Sequence, residues 1–332
     1  MKVVIPVAGK GTRLKPHTFS TPKCLMNVAG KPILGHILDT LNSIKDNISE
    51  IIFVTGYMGL KIRSYIKSNC HFKTRFVEQK EPKGLGHAIK CASSYFDDSP
   101  VLIILGDTII DFDITKLINS STSILGVKKV ETNARAFGVA FANKNGKIKK
   151  LIEKPDLDSG LALVGLYFIK NGLELKKAIS SYIASTVSLK TKEYQLTDIL
   201  QKMIENKHVF FTININGWFD CGNMNALLET NRYLLQRKNN SVIPNKFLKC
   251  NIINMPVDIH TSCDIKDSII GPYVTISAGA KITRCQLTDS IIETNAIVSE
   301  CVLDKSIIGA NSILKGKRIN LNIGDSSIVE LG

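Results

Sequence analysis

The sequence predicts an α/β domain on a mostly parallel sheet, followed by a short parallel β-helix. Two observations lead there. Through the first two-thirds of the 332 residues, short β-branched runs alternate with helical patterns, which calls for a parallel sheet covered on both faces. Past about residue 240 the texture changes to a six-residue apolar rhythm, the mark of a solenoid. The chain is also longer than one ordinary domain. The expected division is 1–235 for the α/β domain and 236–332 for a connector and the β-helix.

Residues 2–8, rich in valine and isoleucine, read as the first buried strand. Ile33, Leu34, Ile37, Leu38, Leu41 and Ile44 then recur at helical spacing, as do Leu60, Ile62 and Ile66, and later Ala88, Ile89 and Ala92. Between these helices, residues 50–55, 75–79 and 101–106 read as strands. Ligands of such sheets bind beyond the carboxyl ends of the strands. That rule singles out the loops at 9–23, 79–86 and 106–108.

Farther on, Ser-Ile-Ile occurs at 268–270, 290–292 and 306–308, with Ser327-Ile328-Val329 as a looser copy. Six-residue steps led by Ile270, Ile276 and Ile282, by Ile292 and Val298, and by Ile308 and Leu314 lie between them. Each face of a coil would contribute one inward aliphatic. The unequal spacing of the triplets suggests three or four coils with loops inserted. Residues 228–245, with the polar run 236–241, read as the connector.

Composition narrows the function classes. With 44% hydrophobic and 22% charged residues, the chain can bury a full core. No apolar run approaches the roughly 20 residues that cross a bilayer, and the apolar stretch 3–8 is too short for a signal-peptide core. A cytoplasmic protein without a membrane partner is expected. The eight cysteines form no CxxC pair and have no histidines at zinc-like spacing, so reduced, packed thiols are expected. The net charge of +14 comes from scattered lysines with no nucleic-acid-binding signature. Small polyanionic substrates account for it better than nucleic acid does.

The first loop reads Ala8-Gly9-Lys10-Gly11-Thr12-Arg13-Leu14-Lys15-Pro16, then Thr21-Pro22-Lys23. Its glycines permit close backbone approach to an anion. A dinucleotide fingerprint would need glycine where Leu14 stands, and a P-loop would need Gly-Lys-Ser/Thr after a longer loop. Arg13 and Lys23, two fixed cations within one strand–loop unit, are the stronger phosphate signal.

This loop closely resembles that of the sugar-phosphate nucleotidyltransferases, in particular the glucose-1-phosphate thymidylyltransferase branch. Further motifs follow in order: Val28-Ala29-Gly30-Lys31-Pro32-Ile33, Gln79 with Gly84-Leu85, Leu105-Gly106-Asp107 and Phe137-Gly138-Val139. Glu153-Lys154-Pro155, Val164-Gly165-Leu166-Tyr167, Glu193-Tyr194-Gln195-Leu196-Thr197-Asp198 and Trp218-Phe219-Asp220-Cys221-Gly222 complete the set. The likeness covers residues 1 to about 235, and the tail resembles the left-handed β-helix of longer members. The fold implied is Rossmann-like.

The resemblance implies roles for individual residues. Ala8, Gly9, Gly11, Thr12 and Arg13 would hold the NTP phosphates, with Arg13 and Lys23 catalytic and Lys23 bridging both substrates. Gln79 and Gly84 would meet the base. Asp107 and Asp220 would share Mg²⁺, and Gly138, Glu153, Lys154 and Tyr167 would hold the sugar phosphate. Cys24 and Asn27 stand where proline is usual or common in the family. The implied partners are an NTP, with dTTP or UTP favoured, and a sugar 1-phosphate, with glucose 1-phosphate as default. A homo-oligomer through the β-helix is expected as well.

The chemistry suits these residue types. A sugar 1-phosphate is already an oxyanion nucleophile, so no general base is required. What remains is in-line positioning of two polyanions and neutralisation of charge. Mg²⁺ takes a few carboxylates plus phosphate oxygens. Three other readings stand beside this one: a GTP-dependent mannose-1-phosphate guanylyltransferase, a non-catalytic regulatory relative, and an added acetyltransferase on the β-helix. The second would be expected to lose Arg13, Lys23, Asp107 or Asp220. The third would need a longer solenoid and a placed histidine, and His260 is the tail's only one.

Overall fold

The structure, a computed structural model, describes residues 1–186, 193–238 and 243–316. It divides into two compact units. One comprises Met1–Met26 and Lys31–Thr230; the other comprises Asn27–Gly30 and Asn231–Gly332.

The first unit is built on a nine-stranded sheet. Strand β1 (Lys2–Val7) lies between β2 (Glu50–Thr55) and β4 (Val101–Ile104), and β3 (Thr74–Glu78) pairs with β2. These four strands are parallel. Val3, Val4 and Ile5 of β1 and all four residues of β4 are buried, the pattern of strands covered on both faces. The one carboxylate inside β2, Glu50, accepts from Arg75 Nε of β3 at 2.9 Å. Beyond β4 the sheet turns antiparallel through β9 (Gly160–Ile169), which also pairs with β6 (Ser123–Val130) and β7 (Gly138–Ala142). Strand β8 (Ile148–Glu153) pairs with β7, and β10 (Phe210–Asn214) with β6. Off this sheet, β5 (Thr108–Asp111) and β11 (Gly217–Asp220) form an antiparallel pair.

Helix α1 (Ile33–Asn42) follows Pro32 and buries Ile33, Leu34, Ile37, Leu38 and Leu41 along one stripe. Helices α2 (Gly59–Asn69) and α3 (Leu85–Ala92) join consecutive parallel strands. Helix α5 (Leu196–Glu205) packs Leu196, Ile199, Leu200 and Met203 into the same core as α3 and α4 (Gly172–Thr186). The carboxyl ends of β1, β3 and β4 therefore open into the loops that the sequence singles out.

Helix α6 (Met224–Arg237) occupies most of the stretch expected to be connector. Leu227, Leu228 and Leu235 are buried along it, at the spacing of one helix face. Residues 239–242 lie outside those described.

The second unit is a parallel β-helix of three four-stranded sheets, with the left-handed wind expected. Its coils are nearly even: Ile252 pairs with Ile269, Ile269 with Gln286, and Gln286 with Val302. The expected inserted loops are not found within these four coils. The triplets are unequally spaced because 268–270 runs into the first sheet, whereas 290–292 and 306–308 run into the second. The aliphatics Ile265, Ile282, Val298 and Leu314 stack in one column through the third sheet. Corner residues Asp267, Arg284 and Glu300 take left-handed φ values of 50°, 52° and 56°. The Ser327 copy of the triplet lies outside the described residues.

Candidate active site

The site begins where β1 ends. Residues 12–14 form one 3₁₀ turn, closed by Leu14 N donating to Gly11 O at 3.0 Å, and Thr18 Oγ1 donates to the same carbonyl at 2.9 Å. Leu14 is buried beneath this turn, while Thr12 and Arg13 are exposed. A second 3₁₀ turn carries Lys23, with Leu25 N donating to Pro22 O at 2.8 Å and Met26 N to Lys23 O at 3.1 Å.

Asp107 stands just past β4. Gly106 is packed so closely on β1 that a Cβ there would lie 2.8 Å from Pro6 O, so only glycine fits. The β5–β11 pair places Thr108 opposite Asp220, and Cys221 N donates to Asp107 O at 3.1 Å. Two aspartates far apart in sequence are thereby brought together. Lys23 Nζ lies 2.6 Å from Asp107 Oδ2 and 3.9 Å from Asp220 Oδ1. Arg13 joins from the far side: a Cβ on Gly222 would meet Arg13 Nη2 at 2.9 Å and Asp220 Oδ1 at 3.0 Å. Burial, and then the Asp107 charge, push the Asp220 carboxyl above its ordinary range, while Lys23 and Arg13 work the other way. Two oxygen donors whose mutual repulsion is only partly offset suit a divalent cation such as Mg²⁺, with phosphate and water oxygens completing its shell. No group of three or more metal-ligating side chains occurs among the described residues.

A cleft of about 280 Å³ opens beside this cluster, lined by Ala8, Gly9, Lys10, Lys23, Gln79, Gly84 and Asp107. Pro82, Leu85 and Ala88 supply an apolar wall. Gln79 is buried, and its Nε2 donates to Gly84 O at 3.0 Å and lies 3.1 Å from His87 Nδ1. Gly84 has φ 89°, and a Cβ on it would stand 2.6 Å from Tyr194 O, so a side chain is refused twice over. Burial first, then the Lys90 and Lys83 charges, hold the His87 imidazole below its usual pKa. With Gln79 Nε2 as the donor, His87 Nδ1 accepts in this contact.

Beside the Asp107 end lies a second group. Gly138 pairs with Glu153 across β7 and β8, and Thr197 Oγ1 donates to Glu153 Oε2 at 2.6 Å. Tyr167 is buried on β9; burial, then the Glu153 and Asp107 charges, push its hydroxyl pKa up. Lys154 is exposed with φ 47°, and its N–H donates to Phe137 O at 3.0 Å.

Of the residues expected from sequence, Ala8, Gly9, Lys23, Gln79, Gly84 and Asp107 line the cleft, whereas Gly11 and Thr12 do not. Arg13 and Asp220 stand beside the Lys23–Asp107 pair, and Gly138, Glu153, Lys154 and Tyr167 form the adjoining group. Three structural partners escaped that reading. His87 looks like a helix-surface residue in sequence but seats Gln79. Thr197 lies within a recognised motif without an assigned role, yet it orients Glu153. Lys10, the variable residue between the two glycines, lines the cleft. Cys24 also lines the cleft, and burial raises its thiol to about 12, so it packs as an apolar side chain and is not a nucleophile.

Comparison with known proteins bears on the same region. The bifunctional protein GlmU of Methanocaldococcus jannaschii is 36% identical over 244 residues, covering 73% of this chain and 56% of that protein. This chain thus spans little more than half the length of that relative. A glucose-1-phosphate thymidylyltransferase of Streptomyces antibioticus is 27% identical over 326 residues, covering 90% of this chain and 89% of that one. The crystal structure of a UDP-glucose pyrophosphorylase complexed with UDP-glucose shares the fold, with a TM-score of 0.59 and 23% identity over 71% of this chain and 99% of that one. Residues 2–237 match the Nucleotidyl transferase family; that span holds every residue lining the cleft together with Arg13 and Asp220, and the chain belongs to this family.

Proposed function

We propose that the chain is a sugar-1-phosphate nucleotidyltransferase that joins an NTP to a sugar 1-phosphate and releases pyrophosphate. The observation that carries this reading is the placement of Lys23 between Asp107 and Asp220 at the edge of a glycine-lined cleft. An oxygen of the sugar phosphate attacks the α-phosphorus, the new P–O bond forms, and the bond to the β-phosphate oxygen breaks. No proton needs to be removed from the nucleophile. Lys23 sits where both substrates' phosphates would meet, and Arg13 stands ready for the charge of the leaving pyrophosphate. Mg²⁺, held by Asp107 and Asp220, would supply further neutralisation of the phosphate oxygens. Glu153 and Tyr167, with Gly138 and Lys154, would receive the sugar phosphate.

Base choice follows from Gln79. Its amide N–H groups are spent on Gly84 O and His87 Nδ1, leaving the Oε1 acceptor for the ligand. Thymine and uracil offer N3–H to such an acceptor, whereas cytosine offers only a lone pair at N3. dTTP and UTP are therefore favoured, and the 5-methyl contributes about 0.8 kcal/mol if buried, roughly fourfold. Guanine also carries a ring N–H, so a GTP-dependent mannose-1-phosphate guanylyltransferase is the second reading. The β-helix would serve as an oligomerisation element, and the enzyme would act in the cytoplasm. A matrix of five NTPs against several sugar 1-phosphates with Mg²⁺, scored by pyrophosphate release, tests the whole reading. Turnover with dTTP or UTP and glucose 1-phosphate is expected; strong preference for ATP overturns the Gln79 argument, and no turnover with any pair overturns the activity.

A further inference from the structure

Outside the cleft, a set of buried polar bonds ties four residues that the chain contributes early to later residues of the β-helix unit. Asn27–Gly30 belongs to that unit. Glu293, 8% exposed, accepts from Asn27 N at 3.2 Å and from Asn27 Nδ2 at 2.7 Å. The same Asn27 Nδ2 lies 3.3 Å from Ser277 Oγ. Asn231, fully buried, accepts on Oδ1 from Ala29 N at 2.8 Å and from Thr275 Oγ1 at 2.6 Å, while its Nδ2 donates to Tyr273 O at 3.2 Å. Ala29 and Gly30 turn through left-handed φ values of 47° and 84°. The stretch is held in a single conformation by groups drawn from several coils.

Glu293 stands out within its own column. Ser277 N donates to Ile292 O and Glu293 N to Ile308 O, so Ser277, Glu293 and Gly309 share one corner on successive coils. Ser277 reaches the same Asn27 Nδ2, but only Glu293 also accepts from the Asn27 backbone N–H. Burying a carboxylate is costly, and a small residue would close the corner without that cost. Both Glu293 oxygens face donors, as an anion requires. Asn27 supplies both N–H donors to Glu293, and proline in its place could offer neither.

We propose that Glu293 is a positioning residue for Lys23. Only Cys24, Leu25 and Met26 separate Lys23 from Asn27, and they carry no slack: Cys24 and Met26 are buried, and the turn is closed by the Leu25 and Met26 N–H bonds. Anchoring Asn27 fixes the carboxyl end of the turn that carries the Lys23 ammonium. The proposal rests on the reading of Lys23 as a phosphate-handling group.

The test uses the full chain with Glu293→Gln, Asn27→Ala and, as control, Ser290→Ala. Ser290 is fully buried on the same coil as Glu293, without a bond to Asn27; it donates to Thr288 O at 2.6 Å and accepts from Ser306 N at 3.1 Å. Glu293→Gln and Asn27→Ala should each lower kcat by about tenfold or more with a smaller change in KM, since small misplacements of a reacting group cost up to ~10²-fold. Amide hydrogen exchange at Leu25 and Met26 should speed up by a similar factor. Ser290→Ala should lower the unfolding temperature yet leave kcat and that exchange within about twofold of wild type. Wild-type kcat and exchange in Glu293→Gln overturn the proposal, as does an equal loss of kcat in Ser290→Ala. If Glu293→Gln does not fold, Asn27→Ala decides by the same criteria. If the wild type turns over no NTP and sugar 1-phosphate pair, the functional reading fails, and the exchange measurements alone decide whether Glu293 anchors the Lys23 turn.

Discussion

Lys23 Nζ lies 2.6 Å from Asp107 Oδ2, although 84 residues separate them in the chain. One residue comes from the loop after the first strand, the other from the end of the fourth. Their meeting depends on the parallel order of the sheet, which sets β1 and β4 side by side. The pair concentrates both signs of charge at one edge of the cleft.

Removing the Lys23 charge should affect both substrates. Lys23→Ala is expected to reduce kcat/KM for NTP and sugar phosphate by about 10²–10³-fold, the usual effect of losing one charge-stabilising donor. Arg13→Lys keeps the charge but loses the planar fork, and a loss of ~10–100-fold is expected. Steady-state kinetics with each substrate varied in turn checks both; unchanged kcat/KM in Lys23→Ala removes that residue from the site.

On the proposed role of Gln79, its contact with His87 should make nucleotide binding sensitive to acid. His87 is held below its ordinary 6.5 mainly by burial, so the fold binds that proton less well than the unfolded chain does. Its contribution to stability is fully present above about pH 6.5 and is lost as pH falls through the lower folded value. Protonated Nδ1 would face the Gln79 amide N–H donor to donor. The KM for NTP should therefore rise on the acid side of pH 6.5. His87→Asn keeps an acceptor near the Nδ1 position and titrates nowhere in this range, so its acid limb should be flatter. Superimposable pH profiles for the two proteins would contradict this.

Much of the site was legible in the sequence because it rests on local patterns. The alternation of buried runs and helical spacings marks the strands, and the loops past their carboxyl ends hold Ala8, Gly9, Lys23, Gln79 and Asp107. Pairwise relationships were less legible. Nothing in the composition of residues 27–30 shows that they fold with residues more than 200 positions later, because no period or propensity encodes the Ala29–Asn231 bond. The Ser-Ile-Ile copies suggested inserted loops because equal triplets can sit on different faces of a coil. Helix α6 was obscured by its polar face, which reads as a connector when the three buried leucines are not taken together. The resemblance implied a base contact for Gln79, but where its donors go depends on Gly84 and His87.

Assembly through the β-helix gives a further expectation. Val302 and Ile313 are exposed on the coils, at 78% and 66%, and the end of a solenoid leaves open strand edges. The full chain should sediment as an oligomer, and a chain ending near residue 244 as a smaller species. Identical sedimentation of the two would count against the β-helix as the assembly element.

The central claim, that Asp107 and Asp220 together handle the metal at which the two phosphates meet, is tested most directly by replacing each with asparagine. The substitution preserves shape and removes the charge, so the fold should be retained. At saturating Mg²⁺, kcat for Asp107→Asn and for Asp220→Asn should each fall by on the order of 10²-fold or more, and chelation should abolish wild-type turnover. Near-normal kcat in either variant, with the protein folded, would contradict the account.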